Sequence, residues 1–450
     1  MQRNNFYFFV LLLAIILTTL NYMLYRTTIS RAEDYSSIMR VSELIEQNYV
    51  SPLDKEKMVT DAINGIITQN LDKYSCFFSA KQIEQYDKNI NNEYKGIGVQ
   101  ISVINNELTV IMPFKNSPAM AAGVLPGDVI LEIDGESSLG WNTSKAAEKL
   151  SGPGSIEVVM KIRHPDNSEE VVKIQREKIH APTIQGWKSD ENDWQYMLDE
   201  NEKIGYIQIS QFVDGTTQDF LKEYNKLATE GMKALIMDLR SNPGGSLTEA
   251  CSLVDKFLPG GTIITTRGRA IDQAHHASVE GTLPDIPLVI LANSESASAS
   301  EIVAGALQDH KRATVVGLRT YGKGLIQSVY ELPDANLTTL AGVLKITTAY
   351  YYLPNGRCVQ RIEGSDTWGV EPDVEVDIAS DNVISLIALR AKLLGFPFEK
   401  MIKAFDNPEL KVMTETDDFE NIKKYDDQLN EALKQCQILL AKEQPVKTAA

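Results

Sequence analysis

Three short stretches carry residues whose types and spacing could do covalent chemistry. The first is Ser296-Ala297-Ser298-Ala299-Ser300-Glu301, which follows the apolar run 287–292. After Ser298 the apolar residues fall at Ala299, Ile302, Val303, Ala306 and Leu307, the period of a helix. The order is therefore strand, tight turn, serine, helix. A serine so placed has its hydroxyl beside unpaired helix N–H groups, where a developing oxyanion can be held. The second stretch is Gly322-Lys323-Gly324 with Gln327 just beyond it. A glycine pair lets backbone approach closely, which suits a crowded site better than a solvated lysine. The third is Asn242-Pro243-Gly244-Gly245-Ser246, a turn-rich loop that opens a helix over 247–257. Its glycines free backbone N–H groups to face a ligand.

A purely structural reading competes with the first. Ser298-x-x-Glu301 has the spacing of a capping box, and serine is a favoured N-cap without any catalytic role. Other chemistries are disfavoured. The loop at 242–246 lacks the Gly-Lys-Ser/Thr of a phosphate loop, and no G-x-S-x-G elbow occurs. Cys76, Cys251, Cys358 and Cys436 are far apart and form no CxxC pair, and no HExxH is present. No metal site and no cofactor is expected. The net charge of −17 argues against a nucleic-acid partner and against a polybasic membrane patch.

The elements that must position these residues follow from the rest of the 450-residue chain, which is long enough for two or three domains. Arg3 precedes an apolar run over 6–25, about twenty residues and enough to span a bilayer. It ends without small residues in an A-x-A pattern, so residues 1–34 are expected to be an uncleaved signal-anchor and linker, with a cleaved signal as the alternative. Residues 35–92 read as helices, from apolar positions such as Ile38, Val41, Leu44, Ile45 and Tyr49. Residues 180–380 alternate strands and helices, including strands near 204–210 and 234–239 and a helix over 216–228, which predicts a layered α/β domain. Residues 381–450 read as amphipathic helices with a frayed tail, packed on the core or on another subunit.

Residues 93–179 have a different texture. Gly96-Ile97-Gly98-Val99 leads into alternating strand residues. A short helix ended by Gly123, a Pro126-Gly127-Asp128 turn, a strand over 129–133 and a helix over about 143–150 follow. This pattern resembles a PDZ domain, which binds an extended C-terminus as an added strand. On that resemblance Gly96, Ile97, Gly98 and Val99 would form the carboxylate-binding loop. The strand from Val99 and the helix near Ala146, Ala147 and Leu150 would line the groove.

The larger pattern is similar to the C-terminal processing peptidases, also called tail-specific proteases. The matching stretches appear in family order over roughly 35–440. They are Gly96-Ile97-Gly98-Val99, Asp238-Leu239-Arg240, Asn242-Pro243-Gly244-Gly245, Ser296 through Glu301, Ala306-Leu307-Gln308-Asp309-His310, Gly322-Lys323-Gly324 with Gln327, Pro354-Asn355-Gly356-Arg357 and Gly369-Val370-Glu371-Pro372-Asp373. The resemblance implies an α/β (α+β) layered protease core with an inserted PDZ domain, helical N- and C-terminal segments and an N-terminal membrane anchor. It implies a serine endopeptidase with Ser298 as nucleophile, Lys323 as base and Gln327 holding the lysine. Gly244 and Ala299 would supply oxyanion-hole N–H groups. Among the three serines, the choice of Ser298 rests on the motif. An active base must be neutral, whereas a lysine of pKa ~10.4 is under about 0.1% neutral at pH 7. Burial or positive neighbours would have to bring Lys323 down.

Two positions depart from the family: Glu295 stands where glycine is usual, and Ser241 where Asn or Gly is usual. The expected partners are protein substrates held by their C-terminal tails, the membrane through residues 6–25, and a further copy of the chain through the terminal helices. The expected location is a single-pass cell-membrane protein with its catalytic part outside the cytoplasm, or a secreted protein after signal cleavage. The competing function is a PDZ peptide-binding scaffold on an inactive protease fold.

Overall fold

The computed structural model describes residues 17–19, 35–79, 93–104, 106–114, 117–151, 157–180, 183–189, 194–332, 342–379, 382–395 and 408–443. Most of the apolar run 6–25 lies outside these residues, as do the tail from 444 and parts of the loops. Among the described residues no helix is long and apolar enough to cross a membrane. The chain divides into two compact units, residues 1–77 with 333–341, and residues 78–332 with 342–450.

In the first unit, residues 35–48 are helical and Lys55–Asn70 is a helix whose first turn is capped by Asp54, which accepts the Lys57 N–H. Ile38, Val41, Leu44, Ile45 and Tyr49 are exposed. The expected helical reading of 35–92 needs one correction: Cys76–Ser79 is a strand.

The second unit contains residues 93–179, expected to be a PDZ domain. Strands Val99–Ile104, Glu107–Pro113, Val129–Ile133, Glu157–Arg163 and Glu169–Gln175 lie in that order in one antiparallel sheet. Glu157–Arg163 alternates strictly in burial, so Val158, Met160 and Ile162 point into the core with Leu108, Val110 and Ile130. Glu93–Gly96 pairs with Glu177–His180, which brings together the two points where the chain enters and leaves the domain.

The layered α/β core is built on strands Ile204–Ile209, Ala234–Asp238, Leu288–Ala292, Thr314–Gly317 and Val374–Glu375, all parallel and adjacent in chain order. Ile184–Gln185 and Met197–Asp199 add antiparallel pairing to Ile204–Ile209. Ala234–Asp238 and Leu288–Ala292 are buried at every residue, because helices cover both faces. Leu235, Met237, Leu288 and Ile290 face the core shared with helices Thr216–Thr229, Leu247–Asp255 and Ala299–Asp309. Ala234, Ile236, Val289 and Leu291 face the core shared with Val383–Leu393, Asp418–Tyr425 and Asp427–Glu443. The C-terminal helices are thus the second outer layer of the sheet, the first of the two packings expected for them.

A second, antiparallel sheet was not foreseen from the sequence. Asp272–Ala277 pairs with Gly261–Gly268, which pairs with Gly342–Tyr352, which pairs with Leu325–Leu332. Leu325–Leu332 starts two residues after Lys323 and carries Gln327, so this sheet sets the lysine loop.

Candidate active site

Ser298 sits between the strand Leu288–Ala292 and the helix Ala299–Asp309. Its backbone is strained, with φ 57° and ψ −114°. A non-glycine residue persists there only when its surroundings over-determine it, and such strain concentrates at functional sites. The surroundings are specific. The Ser298 N–H donates to Glu301 Oε2 at 2.8 Å. The Ser298 carbonyl accepts the N–H of Glu301 at 2.9 Å and of Ile302 at 3.0 Å, and the Tyr351 hydroxyl at 3.2 Å. The Glu301 N–H goes to that carbonyl, and Ser298 and Glu301 also face each other as a capping box across the turn. The capping-box reading of Ser298-x-x-Glu301 holds, and its firmest contact is the Glu301 carboxylate on the Ser298 N–H.

The neighbouring serines are placed differently. Ser296 is 1% exposed and donates its hydroxyl to the Leu239 carbonyl at 2.8 Å. Ser300 is 0% exposed and donates to the Asn242 carbonyl at 2.9 Å. Both stitch the turn to segment 239–245. Ser298 alone of the three is only half-buried. The helix itself departs from expectation. Ala299 to Leu307 are buried without a break, because Ser300 and Glu301 spend their polar groups inside the protein.

Segment 239–245 lies directly against the serine. A Cβ on Gly244 would be 2.6 Å from the Ala297 carbonyl oxygen and 2.8 Å from both Ala299 N and Ser298 Cβ. Gly244 has φ 95°, so only glycine fits both conformation and space. Its N–H donates to Asn242 Oδ1 at 2.8 Å. This expected oxyanion donor is therefore engaged within the loop, and it reaches a substrate only by exchanging that acceptor. Ser241 also has positive φ, 58°, which accounts for the family's preference for Asn or Gly there. Asn293 supports the serine, its Oδ1 accepting the Ser241 N–H at 2.8 Å and its Nδ2 donating to Ser241 Oγ at 3.2 Å. Glu295 is exposed.

Lys323 is half-buried, and its N–H donates to Glu301 Oε2 at 2.8 Å. Gly322 N–H and the Thr320 hydroxyl donate to Glu301 Oε1 at 2.7 and 2.6 Å. The flanking glycines are filled in by segment 359–368. A Cβ on Gly322 would meet Trp368 Cδ1 at 2.8 Å and Arg361 Cβ at 2.9 Å, and one on Gly324 would meet Gln360 N at 2.6 Å. The crowding inferred from Gly-Lys-Gly is thus packing of one segment on the lysine loop. Gln327 is half-buried and donates from Nε2 to Thr347 Oγ1 at 3.4 Å, on the neighbouring strand.

The residue that sequence reasoning undervalued is Glu301. It is 0% exposed, and its carboxylate accepts four hydrogen bonds from the serine turn and the lysine loop. Burial raises its pKa above the ordinary 4.5 against the pull of those bonds. The capping-box spacing flagged it, but only as a helix cap.

In the PDZ domain, the Ile97 and Gly98 carbonyls accept the Ala119 and Phe114 N–H groups at 2.9 and 2.8 Å, which fixes the loop. Gly98 has φ 75°, and a Cβ there would lie 2.4 Å from Ser117 Cβ. Val99–Ile104 is the edge strand of its sheet, the position where an added strand docks. The groove-lining expectation is corrected for two residues. Ala146 and Leu150 belong to the domain core, and Ala147 is the exposed one.

Residues 203–376 match peptidase family S41 and residues 114–164 match a PDZ domain. Over 361 residues the chain is 34% identical to a carboxy-terminal-processing protease of Bartonella bacilliformis, covering 78% of this chain and 77% of that one. It is 30% identical over 357 residues to a probable CtpA-like serine protease of Staphylococcus aureus, covering 78% of this chain and 66% of that one. Among solved structures, the photosystem II D1 C-terminal processing protease aligns with a TM-score of 0.51 and 25% identity, over 75% of this chain and 86% of that one. The chain belongs to peptidase family S41, and is a serine peptidase of the carboxy-terminal-processing type with a PDZ domain.

Proposed function

We propose that the protein hydrolyses peptide bonds with Ser298 as nucleophile and Lys323 as base, and that its PDZ domain captures the C-terminal tails of protein substrates. The observation that carries the serine assignment is the division of labour at 296, 298 and 300. Two hydroxyls are buried and spent on carbonyls, while the third is half-buried and on a strained backbone. Neutral Lys323 takes the Ser298 proton as Oγ attacks the scissile carbonyl, then returns it to the leaving amine. Water repeats the sequence on the acyl-enzyme. Ala299 N–H and Gly244 N–H hold the oxyanion, Gly244 by exchanging Asn242 Oδ1 for it. Gln327 orients the lysine amine without adding a negative charge that would raise its pKa.

The apolar run 6–25 supports a membrane anchor with the catalytic part outside the cytoplasm. Self-association falls to the helical residues 35–48 and Tyr49 just beyond them, with Val41, Leu44 and Tyr49 exposed, since the C-terminal helices spend their apolar face on the sheet. The scaffold alternative is disfavoured because both Ser298 and Lys323 are present.

The decisive experiment is labelling with a fluorophosphonate followed by peptide mass mapping, alongside cleavage of a tailed substrate. Label on Ser298, lost in Lys323→Ala together with turnover, is expected. Label elsewhere, or wild-type turnover in Lys323→Ala, refutes the dyad.

A further inference from the structure

A buried ionic cluster joins segment 239–245 to the C-terminal helices. Arg240, 5% exposed, donates through Nε to both Asp238 oxygens at 3.0 Å and through Nη2 to Asp238 Oδ2 at 2.6 Å. The same guanidinium reaches Asp426 through Nη1 at 2.8 Å and Nη2 at 3.1 Å, and Gln428 Oε1 at 3.3 Å. Arg390 adds a second cation 3.5 Å from Asp426. The Tyr206 hydroxyl donates to Asp238 at 2.7 Å. Two carboxylates thus face two guanidiniums. Asp426, 2% exposed, also accepts the Leu429 N–H at 3.0 Å in the first turn of Asp427–Glu443. Burial acts to raise the Asp426 pKa, yet Arg240 and Arg390 outweigh it and hold it below the ordinary range.

This cluster is poorly explained as glue. The apolar core beneath the C-terminal helices already fixes them on the sheet. A buried ion pair adds little net stability over apolar residues of the same volume, while it does fix geometry. The geometry fixed here is close to the serine turn. Leu239, next to Arg240, accepts the Ser296 hydroxyl on its carbonyl. Asn242, two residues on, accepts Ala297 N–H at 3.0 Å and the Ser300 hydroxyl at 2.9 Å, and its side chain sets Gly244.

We infer that Asp426 is a positioning residue: through Arg240 it holds segment 239–245 in register with the Ser298 turn, so that the C-terminal helices are part of the catalytic geometry. The inference rests on the reading of Ser298 as nucleophile. Asp418 provides the control. It ties the same helical layer to Lys188 at 2.5 Å and Lys392 at 2.7 Å, without hydrogen bonding to segment 239–245.

The test compares Asp426→Asn, Arg240→Lys and Asp418→Asn in the full chain, with thermal melting to confirm folding at the assay temperature. Asp426→Asn should lose roughly 10- to 100-fold in kcat, with KM held within about twofold, as expected of a displaced catalytic loop. Fluorophosphonate acylation of Ser298 should slow in parallel. Arg240→Lys keeps the charge and loses the fork, and should give the same kcat-specific loss. Asp418→Asn should lower the melting temperature and keep kcat. Wild-type kcat in folded Asp426→Asn or Arg240→Lys overturns the inference, as does an equal kcat loss in Asp418→Asn. Failure to label Ser298 in the wild type would instead overturn the nucleophile assignment.

Discussion

Ser298 and Lys323 donate their main-chain N–H groups to the same atom, Glu301 Oε2, each at 2.8 Å. One buried carboxylate therefore sets the separation of the serine turn and the lysine loop. Glu301→Gln would leave one acceptor oxygen for four donors and turn an amide N–H₂ toward N–H groups. The expected result is a kcat loss of roughly 100-fold from misplacement. Stability should drop by about 1–3 kcal/mol for each donor left unpaired. Steady-state kinetics and urea unfolding measure the two, and wild-type kcat would reduce Glu301 to a helix cap.

The three serines should separate by phenotype. Ser298→Ala should abolish turnover with little effect on the unfolding midpoint, because its side chain is only half-buried. Ser296→Ala and Ser300→Ala should retain fluorophosphonate labelling but lose about 1–3 kcal/mol, since each leaves a buried carbonyl short of a donor. The reverse pattern, with Ser296→Ala or Ser300→Ala inactive and fully stable, would move the nucleophile.

Alanine at the glycines beside the lysine should act through displacement. Gly324→Ala drives a Cβ to 2.6 Å from the Gln360 backbone nitrogen, and Gly322→Ala drives one to 2.8 Å from Trp368 Cδ1 at φ 89°. Both should lower kcat by at least about tenfold. Gly356→Ala has φ 87° and nothing within 4 Å of the new Cβ, so it should cost only the conformational strain of about 1–3 kcal/mol. If all three behaved alike, crowding at the lysine loop would not matter.

Tail capture by the PDZ domain is better tested through the ligand than through the loop. Substituting Gly98 would place a Cβ 2.4 Å from Ser117 and break the loop itself. A tail peptide with a free carboxylate should bind about tenfold more tightly than its C-terminal amide, a difference of about 1.4 kcal/mol. Equal affinities in a fluorescence titration would exclude carboxylate recognition.

The PDZ domain also contains a titrating cluster. His164 Nδ1 lies 2.7 Å from Asp128 Oδ1, and its Nε2 3.3 Å from Glu170 Oε2. Burial opposes charge on His164, but hydrogen bonds and charge from Asp128 and Glu170 outweigh it and raise its pKa above 6.5. Burial pushes Asp128 up to about 6. In both cases the folded domain keeps its proton longer than the unfolded chain. Asp128's contribution fades between its ordinary value of 3.8 and about 6. His164's is complete below 6.5 and fades as pH rises through its raised value. Amide exchange in Glu157–Arg163 should therefore show less protection at about pH 8 than at about pH 6, once corrected for intrinsic rates. His164→Gln should flatten that difference, and an unchanged slope would acquit the histidine.

The protease strands were legible because double burial leaves continuous apolar runs. The apolar run 287–292 predicts one strand, and Leu288–Ala292 is that strand. The helix over 216–228 and Thr216–Thr229 agree to one residue for the same reason of clean periodicity. The antiparallel sheet of Gly261–Gly268 and Leu325–Leu332 was not, because its exposed strands mix polar and apolar residues without a clear period. At the site, the glycine spacing disclosed crowding but not the partner, since Gln360, Arg361 and Trp368 come from a distant segment. Periodicity placed Ser300 and Glu301 beside the helix start with no hint that both are fully buried. Ala146 and Leu150 lie in the core and not in a groove, and a helix's apolar stripe looks the same whether it faces core or ligand.

Arg240 and Asp426 are 186 residues apart in the chain. At translation speeds of 5–20 residues per second, the guanidinium precedes its second carboxylate by roughly 10–40 s. Ser298 and Lys323 are made within that interval, and until Asp426 follows them the loop at 239–245 has only Asp238 to hold its arginine. The last anchor arrives with the final helices of the sheet's outer layer. On the inference that Asp426 aligns segment 239–245, a nascent chain holds Ser298 and Lys323 before it holds the brace that aligns them.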